Sequence, residues 1–307
     1  MKIKNQVLSV IAHSLSHSLG LNLTLKLAKE FIHDYDIHER MGYPASVPVP
    51  PLDAARRVTR DLHDAGFLLE MIERIIVIGK TGYMGKKYAI VGLPDIIQAI
   101  QDSGYELDEE SQLFFENPKI QKTLSWGRLQ EGKAYSLTLM KIDIVSNSSL
   151  VRENDKKQIA HIYEEFFETL YTIIEKRNGR IWLCEGDGLI AAFHYARPAI
   201  CAVLSGMEIL NKLKVFNITK NCLDRDLDVR IAVHSGFIQY SEDLTLLLKN
   251  ETIKELNQIE QKWTPTGTMA ISASIALHID SIIKDTMYSL KTDSSRDLLA
   301  YTPEYKR

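Results

Sequence analysis

Two acidic residues, each placed where an apolar run meets a turn, constrain this chain more than any other feature. Asp143 closes the run Ser136-Leu-Thr-Leu-Met-Lys-Ile-Asp143, which has the length and composition of a strand. Asp187 lies in Gly179-Arg-Ile-Trp-Leu-Cys-Glu-Gly-Asp-Gly-Leu-Ile-Ala-Ala-Phe193, two apolar runs joined by a glycine-rich turn. Between the two acids, Ile159 to Lys176 is amphipathic and long enough for one helix. A strand, a helix and a strand pair can bring such acids side by side. Paired carboxylates beside a glycine turn suit a hard divalent cation, Mg or Mn, that also holds phosphate oxygens. An aspartate at a strand end is more commonly a turn former or helix cap. Yet like charges held close repel, so an acid pair costs stability unless a cation or hydrogen bonds compensate. Asp143 and Asp187 are therefore the metal-binding candidates.

The surrounding composition sets limits on function. With 307 residues, 45% hydrophobic and 25% charged, the chain suits two ordinary globular domains. A formal net charge of −3 excludes a polycation. Cys184, Cys201 and Cys222 show no paired or metal-type spacing, and they read as reduced thiols, with Cys184 and Cys201 in the core. The first residues lack the apolar core of a signal peptide, and no window approaches ~18 uninterrupted apolar residues. A cytoplasmic protein with no membrane partner is expected.

Longer stretches sharpen the reading of the acid pair. Asp143-Ile-Val-Ser-Asn-Ser-Ser-Leu150 resembles the first metal-binding signature of class III nucleotidyl cyclases, the adenylate and guanylate cyclase catalytic domain. Glu185-Gly-Asp-Gly-Leu-Ile-Ala-Ala-Phe193 resembles the second, and Val229-Arg-Ile-Ala-Val-His-Ser-Gly236 resembles the family's Arg-Ile-x-x-His-x-Gly strand. The matches come in order over about residues 134–280. The resemblance implies an α+β fold whose C-terminal domain, 134–307, is a ferredoxin-like βαββαβ unit. It also implies metal at Asp143 and Asp187, a nucleotide at Ile144, Ser146, Asn147, Ser148 and Gly186, and a head-to-tail homodimer.

The resemblance breaks at the next motif, in which the family carries a Gly followed by a helix with an Asn and, four residues later, an Arg. Here the matching stretch is Thr264-Pro-Thr-Gly-Thr-Met-Ala-Ile-Ser-Ala-Ser-Ile-Ala-Leu277. With Gly267 as the family Gly, Ile271 replaces the Asn and Ile275 the Arg. Leu183 and Thr264 stand where base-selecting members carry Lys and Asp. Losing a cation aimed at developing phosphate charge costs roughly 100-fold or more per group. No catalytic residue is assigned, and a degenerate, nucleotide-sensing cyclase-like domain is expected. The alternative is an active nucleotidyl cyclase, such as the pyrimidine cyclases of phage defence.

The N-terminal part reads differently. Residues 6–19 and Leu23 to Tyr35 show helical spacing, a proline-rich bridge spans 42–51, and Leu52 to Gly66 forms a third helix. Leu68 to Ile78 and Tyr88 to Leu93 read as two strands around Gly79-Lys-Thr-Gly-Tyr-Met-Gly-Lys-Lys87. Val58-Thr-Arg-Asp-Leu-His-Asp-Ala-Gly-Phe-Leu68 resembles the turn from recognition helix to wing in winged helix-turn-helix transcription regulators. A winged helix domain over 1–95 is expected, with a connector at 96–133. Double-stranded DNA would then meet Arg56, Arg57, Thr59 and Arg60 on the third helix and Lys80, Tyr83, Lys86 and Lys87 on the wing.

Overall fold

The computed structural model describes residues 5–109, 111–195, 197–292 and 297–304. It divides into two compact units, Met1–Gly127 and Arg128–Arg307. Residues 96–127 thus fall within the first unit instead of forming a separate connector.

The first unit is mainly helical: α1 (Asn5–Ser18), α2 (Gly20–Phe31), α3 (Ile37–Met41), α4 (Pro51–Asp64), α5 (Leu68–Thr81) and α6 (Leu93–Asp102). A short hairpin follows, β1 (Tyr105–Leu107) against β2 (Phe114–Glu116). Local chemistry sets the ends. Asp36 caps α3 by accepting from the amides of His38 and Glu39, which hold its carboxyl below the usual range. Pro51 starts α4, where its missing N–H costs nothing. Ile11 and Leu15 of α1, Ala54, Val58 and Leu62 of α4, and Ile72 and Ile76 of α5 are buried in one core.

The expected wing is not formed. Leu68–Thr81 is a helix and Tyr88–Gly92 is irregular, so neither predicted strand exists. In Leu-Leu-Glu-Met-Ile-Glu-Arg-Ile-Ile the polar residues Glu70, Glu73 and Arg74 recur at helical spacing. Fourteen residues of helix bury eight side chains in the unit's core, which outweighs the β preference of the Ile-Ile-Val-Ile run. One buried polar group on α5 is used in the hairpin: Glu73 Oε1 accepts from the amide of Phe114 at 2.7 Å.

The second unit is built on a seven-stranded sheet in the order β4-β5-β3-β6-β7-β9-β8. Its strands are β3 (Ala134–Ile144), β4 (Arg180–Glu185), β5 (Gly188–Phe193), β6 (Val229–Gln239), β7 (Thr268–Ser272), β8 (Tyr288–Leu290) and β9 (Leu298–Tyr301). Helices α7 (Asn147–Glu153) and α8 (Lys156–Lys176) follow β3, and α9 (Pro198–Thr219) follows β5. The first four strands and their helices make a β-α-β-β-α-β order, with β3 central and antiparallel to both β5 and β6. That is the ferredoxin-like arrangement expected for this part.

Strand alternation separates two faces. Met140, Ile142, Ile144, Val229, Ile231 and Val233 pack with Ile162, Phe166 and Leu170 of α8 and with Val203 and Leu210 of α9. Gly206 lets α9 come against Met269, whose sulfur would clash with any added Cβ. The alternate residues Lys141, Asp143, Arg230 and His234 point to the other face. There α10 (Leu244–Leu247), α11 (Glu251–Gln258) and a π-turn at Ile259–Trp263 bridge β6 to β7. Helices α12 (Ala273–Ala276) and α13 (Ser281–Lys284) complete the unit.

Candidate functional site

The strand register brings the two acids to one end of the sheet. Asp143 lies opposite Gly188, the residue after Asp187, and the amide of Ile144 donates to the Asp187 carbonyl at 3.2 Å. Gly186 takes φ +61° in the hairpin turn, a conformation that favours glycine. Asp143 Oδ1 lies above Gly188, while Oδ2 accepts from Arg230 Nη2 at 2.8 Å. Arg230 also reaches Glu260 at 2.8 Å, and Lys141 reaches the same carboxylate at 3.0 Å. Glu260 is 1% exposed and comes from the π-turn, so it clamps the rear face with two cations. One oxygen of Asp143 is therefore committed to structure and one is left toward the turn.

The segment after β3 shapes the rest of this edge. Ser146 adopts a left-handed conformation, φ 57°, and opens α7. Arg225 Nη2 donates to the Ser146 carbonyl at 3.1 Å and to Ser149 Oγ at 2.5 Å. Tyr163 of α8 donates its hydroxyl to Asn147 Oδ1 at 2.6 Å. Burial and the nearby Asp187 charge push the Tyr163 phenol up to about 12. Ile144, Ser146, Asn147, Ser148, Gly186, Asp143 and Asp187 thus share one end of the unit, joined by Tyr163 and Arg225. Sequence reasoning missed Tyr163 and Arg225. Arg225 sits in an irregular loop far along the chain, and only the fold brings it here.

Two carboxylates with further oxygen donors fit a hard divalent ion that is completed by a nucleotide's phosphates. Among the described residues, no cluster of three or more His, Cys, Asp or Glu could hold a metal unaided.

The stretch matched to the transition-state helix needs correction. Gly267, at φ +71°, leads into the strand β7, and Ile271 is fully buried within it. Ile275 is buried in the four-residue α12. The helix between β6 and β7 is α11, whose exposed pair four residues apart is Lys254 and Gln258. Lys254 is held by Glu251 at 2.6 Å. Leu183 follows a β-bulge in β4, and Thr264 is buried and donates to the Ile259 carbonyl. The cysteines also depart from expectation, because Cys184 and Cys222 are exposed and Cys201 is half-buried. Cys184 lies near the end of β4, whose last two residues before the turn are exposed.

The DNA-contact candidates are scattered. Arg56 and Arg60 are exposed on α4, and Arg57 donates from Nε to Asp61 at 3.1 Å. Thr59 is 1% exposed and donates to the Ala55 carbonyl, so it cannot face a duplex. Lys80 bonds Gln112, and Tyr83 bonds Glu30 beneath Lys26 and Arg74. Lys86 and Lys87 are exposed, with Lys86 in a turn closed by the Tyr83–Lys86 bridge instead of a wing.

No protein-family model matches the chain, and no curated protein matches it. Solved structures similar to it are class III cyclase domains. The guanylate cyclase domain of RhGC from Catenaria anguillulae, in complex with GTP, is 16% identical with a TM-score of 0.44. The match covers 55% of this chain and 96% of that one. The adenylyl cyclase CyaB from P. aeruginosa is 18% identical at 0.47, over 58% and 98%. The monomeric guanylyl cyclase domain of RhoGC from Blastocladiella emersonii is 17% identical at 0.47, over 55% and 97%. At this level of similarity the chemistry of the site has to come from its own residues. No helix among the described residues is long and apolar enough to cross a membrane.

Proposed function

We propose that the second unit is a nucleotide-binding module that holds a nucleoside triphosphate with a divalent cation and does not cyclise it efficiently. The observation that carries this reading is the register of β3 on β5, which sets Asp143 beside Asp187 next to the Ser146–Ser149 turn. The cation, when bound, would neutralise phosphate charge between the two acids. Asp143 Oδ1 and Asp187 would hold it, Arg225 would keep the turn after β3 in shape, and Tyr163 would orient Asn147.

Inefficient turnover follows from what α11 offers. Ring closure builds charge on the transferring phosphate, and a fixed guanidinium is the usual way to meet it. In this helix the outward pair is Lys254, tied to Glu251, and Gln258, which is neutral. The protein as a whole then reads as a regulator, with a helical unit joined to a nucleotide-sensing one. Double-stranded DNA loses support as the partner because the basic hairpin meant to grip it is replaced by α5.

The decisive experiment incubates the protein with each of the four nucleoside triphosphates and Mn²⁺, and follows binding by calorimetry and products by mass spectrometry. Saturable binding that is lost in Asp187→Asn, with no cyclic product above background, supports the proposal. Cyclic product that disappears in Asp187→Asn would replace it with a working cyclase. Binding that survives both Asp187→Asn and Asp143→Asn would remove the site.

A further inference from the structure

The first unit carries a cavity of about 420 Å³ between α1 and α4. Three arginines of α4 line it, Arg56, Arg57 and Arg60, against the single carboxylate of Asp53. Ser9 and Leu8 of α1 and Met41 at the end of α3 supply a hydroxyl and apolar walls. Spacing explains the convergence, because residues 53, 56, 57 and 60 lie on one stripe of a helix whose opposite stripe is the buried Val58 and Leu62.

One of these arginines is positioned from behind. Asp61 is 9% exposed and accepts from the buried Tyr35 hydroxyl at 2.8 Å and from Arg57 Nε at 3.1 Å. Burial and that carboxylate push the Tyr35 phenol well above its ordinary value, so it stays a donor. Arg57 is therefore held through Nε, while its two terminal nitrogens have no partner among the described residues. Arg60 is exposed and forms no ion pair among them. Arg56 reaches Asp53 only at 3.4 Å.

We propose that this cavity binds the phosphate of a small phosphorylated molecule, a mononucleotide being of the right size and kind. Planar guanidinium groups fork onto phosphate oxygens, and one held in place loses less freedom when it does so. Leu8 and Met41 give an apolar wall for the rest of the ligand. The volume falls in the range of about 300–1,000 Å³ that small-molecule sites occupy. A duplex would present the same phosphate chemistry. It needs a run of cations along an open face, though, and here Thr59 is buried and no wing extends the contact. The site is separate from the Asp143–Asp187 edge and stands or falls independently of it.

The test uses the full chain carrying Asp187→Asn, so that the second unit's edge does not contribute. Calorimetric titration with AMP, inorganic phosphate, adenosine and a short DNA duplex separates the sources of phosphate. The expected result is saturable 1:1 binding of AMP, weaker binding of phosphate and none of adenosine. Arg57→Gln and Arg60→Gln should each weaken AMP binding by about tenfold, the effect of losing one charge-assisted hydrogen bond. Thermal unfolding of both variants should stay cooperative and within a few degrees of the parent, which keeps loss of binding distinct from loss of fold. Failure of AMP and phosphate to bind, or affinities unchanged in both variants, would overturn the proposal. So would duplex binding that depends on Arg60 and is not displaced by AMP.

Discussion

Arg230 and Arg57 are both held by aspartates, yet they sit in opposite situations. Arg230 is engaged on both sides, by Asp143 at 2.8 Å and by the buried Glu260 at 2.8 Å, with Lys141 on the same glutamate. Arg57 is engaged on one side only, by Asp61, and its fork faces a cavity. The first arrangement uses Nε and one terminal nitrogen to tie β3 and β6 to the π-turn. The second fixes the stem and leaves the hydrogen-bonding end available. The two arginines thus differ in how much of the fork is held: a terminal nitrogen of Arg230 is bonded, and neither of Arg57's is.

The comparison breaks most visibly in unfolding experiments. Arg230→Ala leaves Glu260 buried with Lys141 as its only cation, and it should cost about 3 kcal/mol. Arg57→Ala, at a half-exposed pair, should cost about 1 kcal/mol or less. Equal losses in urea denaturation would erase the distinction. Asp61→Asn comes next. It keeps an acceptor for Tyr35 but loses the charge, and it should cost about 1.5–2 kcal/mol. The Tyr35 phenol should then titrate lower, as read by ultraviolet absorbance.

A smaller effect is expected with pH. Burial, with the Arg128 charge adding to it, lowers the His194 imidazole to about 4. The folded state therefore binds its proton less readily than the unfolded chain. Stability present above the ordinary histidine range should be lost as pH falls from about 6.5 toward 4. The loss should shrink in His194→Gln when thermal midpoints are compared across that window. At the bottom of the scale, Lys254→Ala removes an exposed pair with Glu251 and should shift stability by no more than about 0.5 kcal/mol. A large drop there would give Lys254 a structural role that its exposure does not suggest.

The acid pair was legible because strand, turn and glycine each leave a local mark, and pairing register then follows from alternation. The N-terminal hairpin was misread for a related reason. Ile75-Ile-Val-Ile78 has the composition of a strand, while the helical spacing of Glu70, Glu73 and Arg74 was the quieter signal that tertiary burial favoured. The β7 segment misled for a different reason: matching Gly267 to the family glycine puts a helix over Thr268-Met-Ala-Ile-Ser272, whereas β6 offers that run a parallel partner. The contact of Arg225 on Ser146 joins residues by topology and has no sequence motif, whereas Asp61 behind Arg57 follows from one turn of helix.

The bond between Asp143 and Arg230 also means that an ion held through the other oxygen of that acid would draw on the same negative charge. Arg230 would then be held less firmly by Asp143, and Glu260 on the rear surface would carry more of its charge. Occupancy at the sheet's tip would in this way be felt by the segment joining β6 to β7.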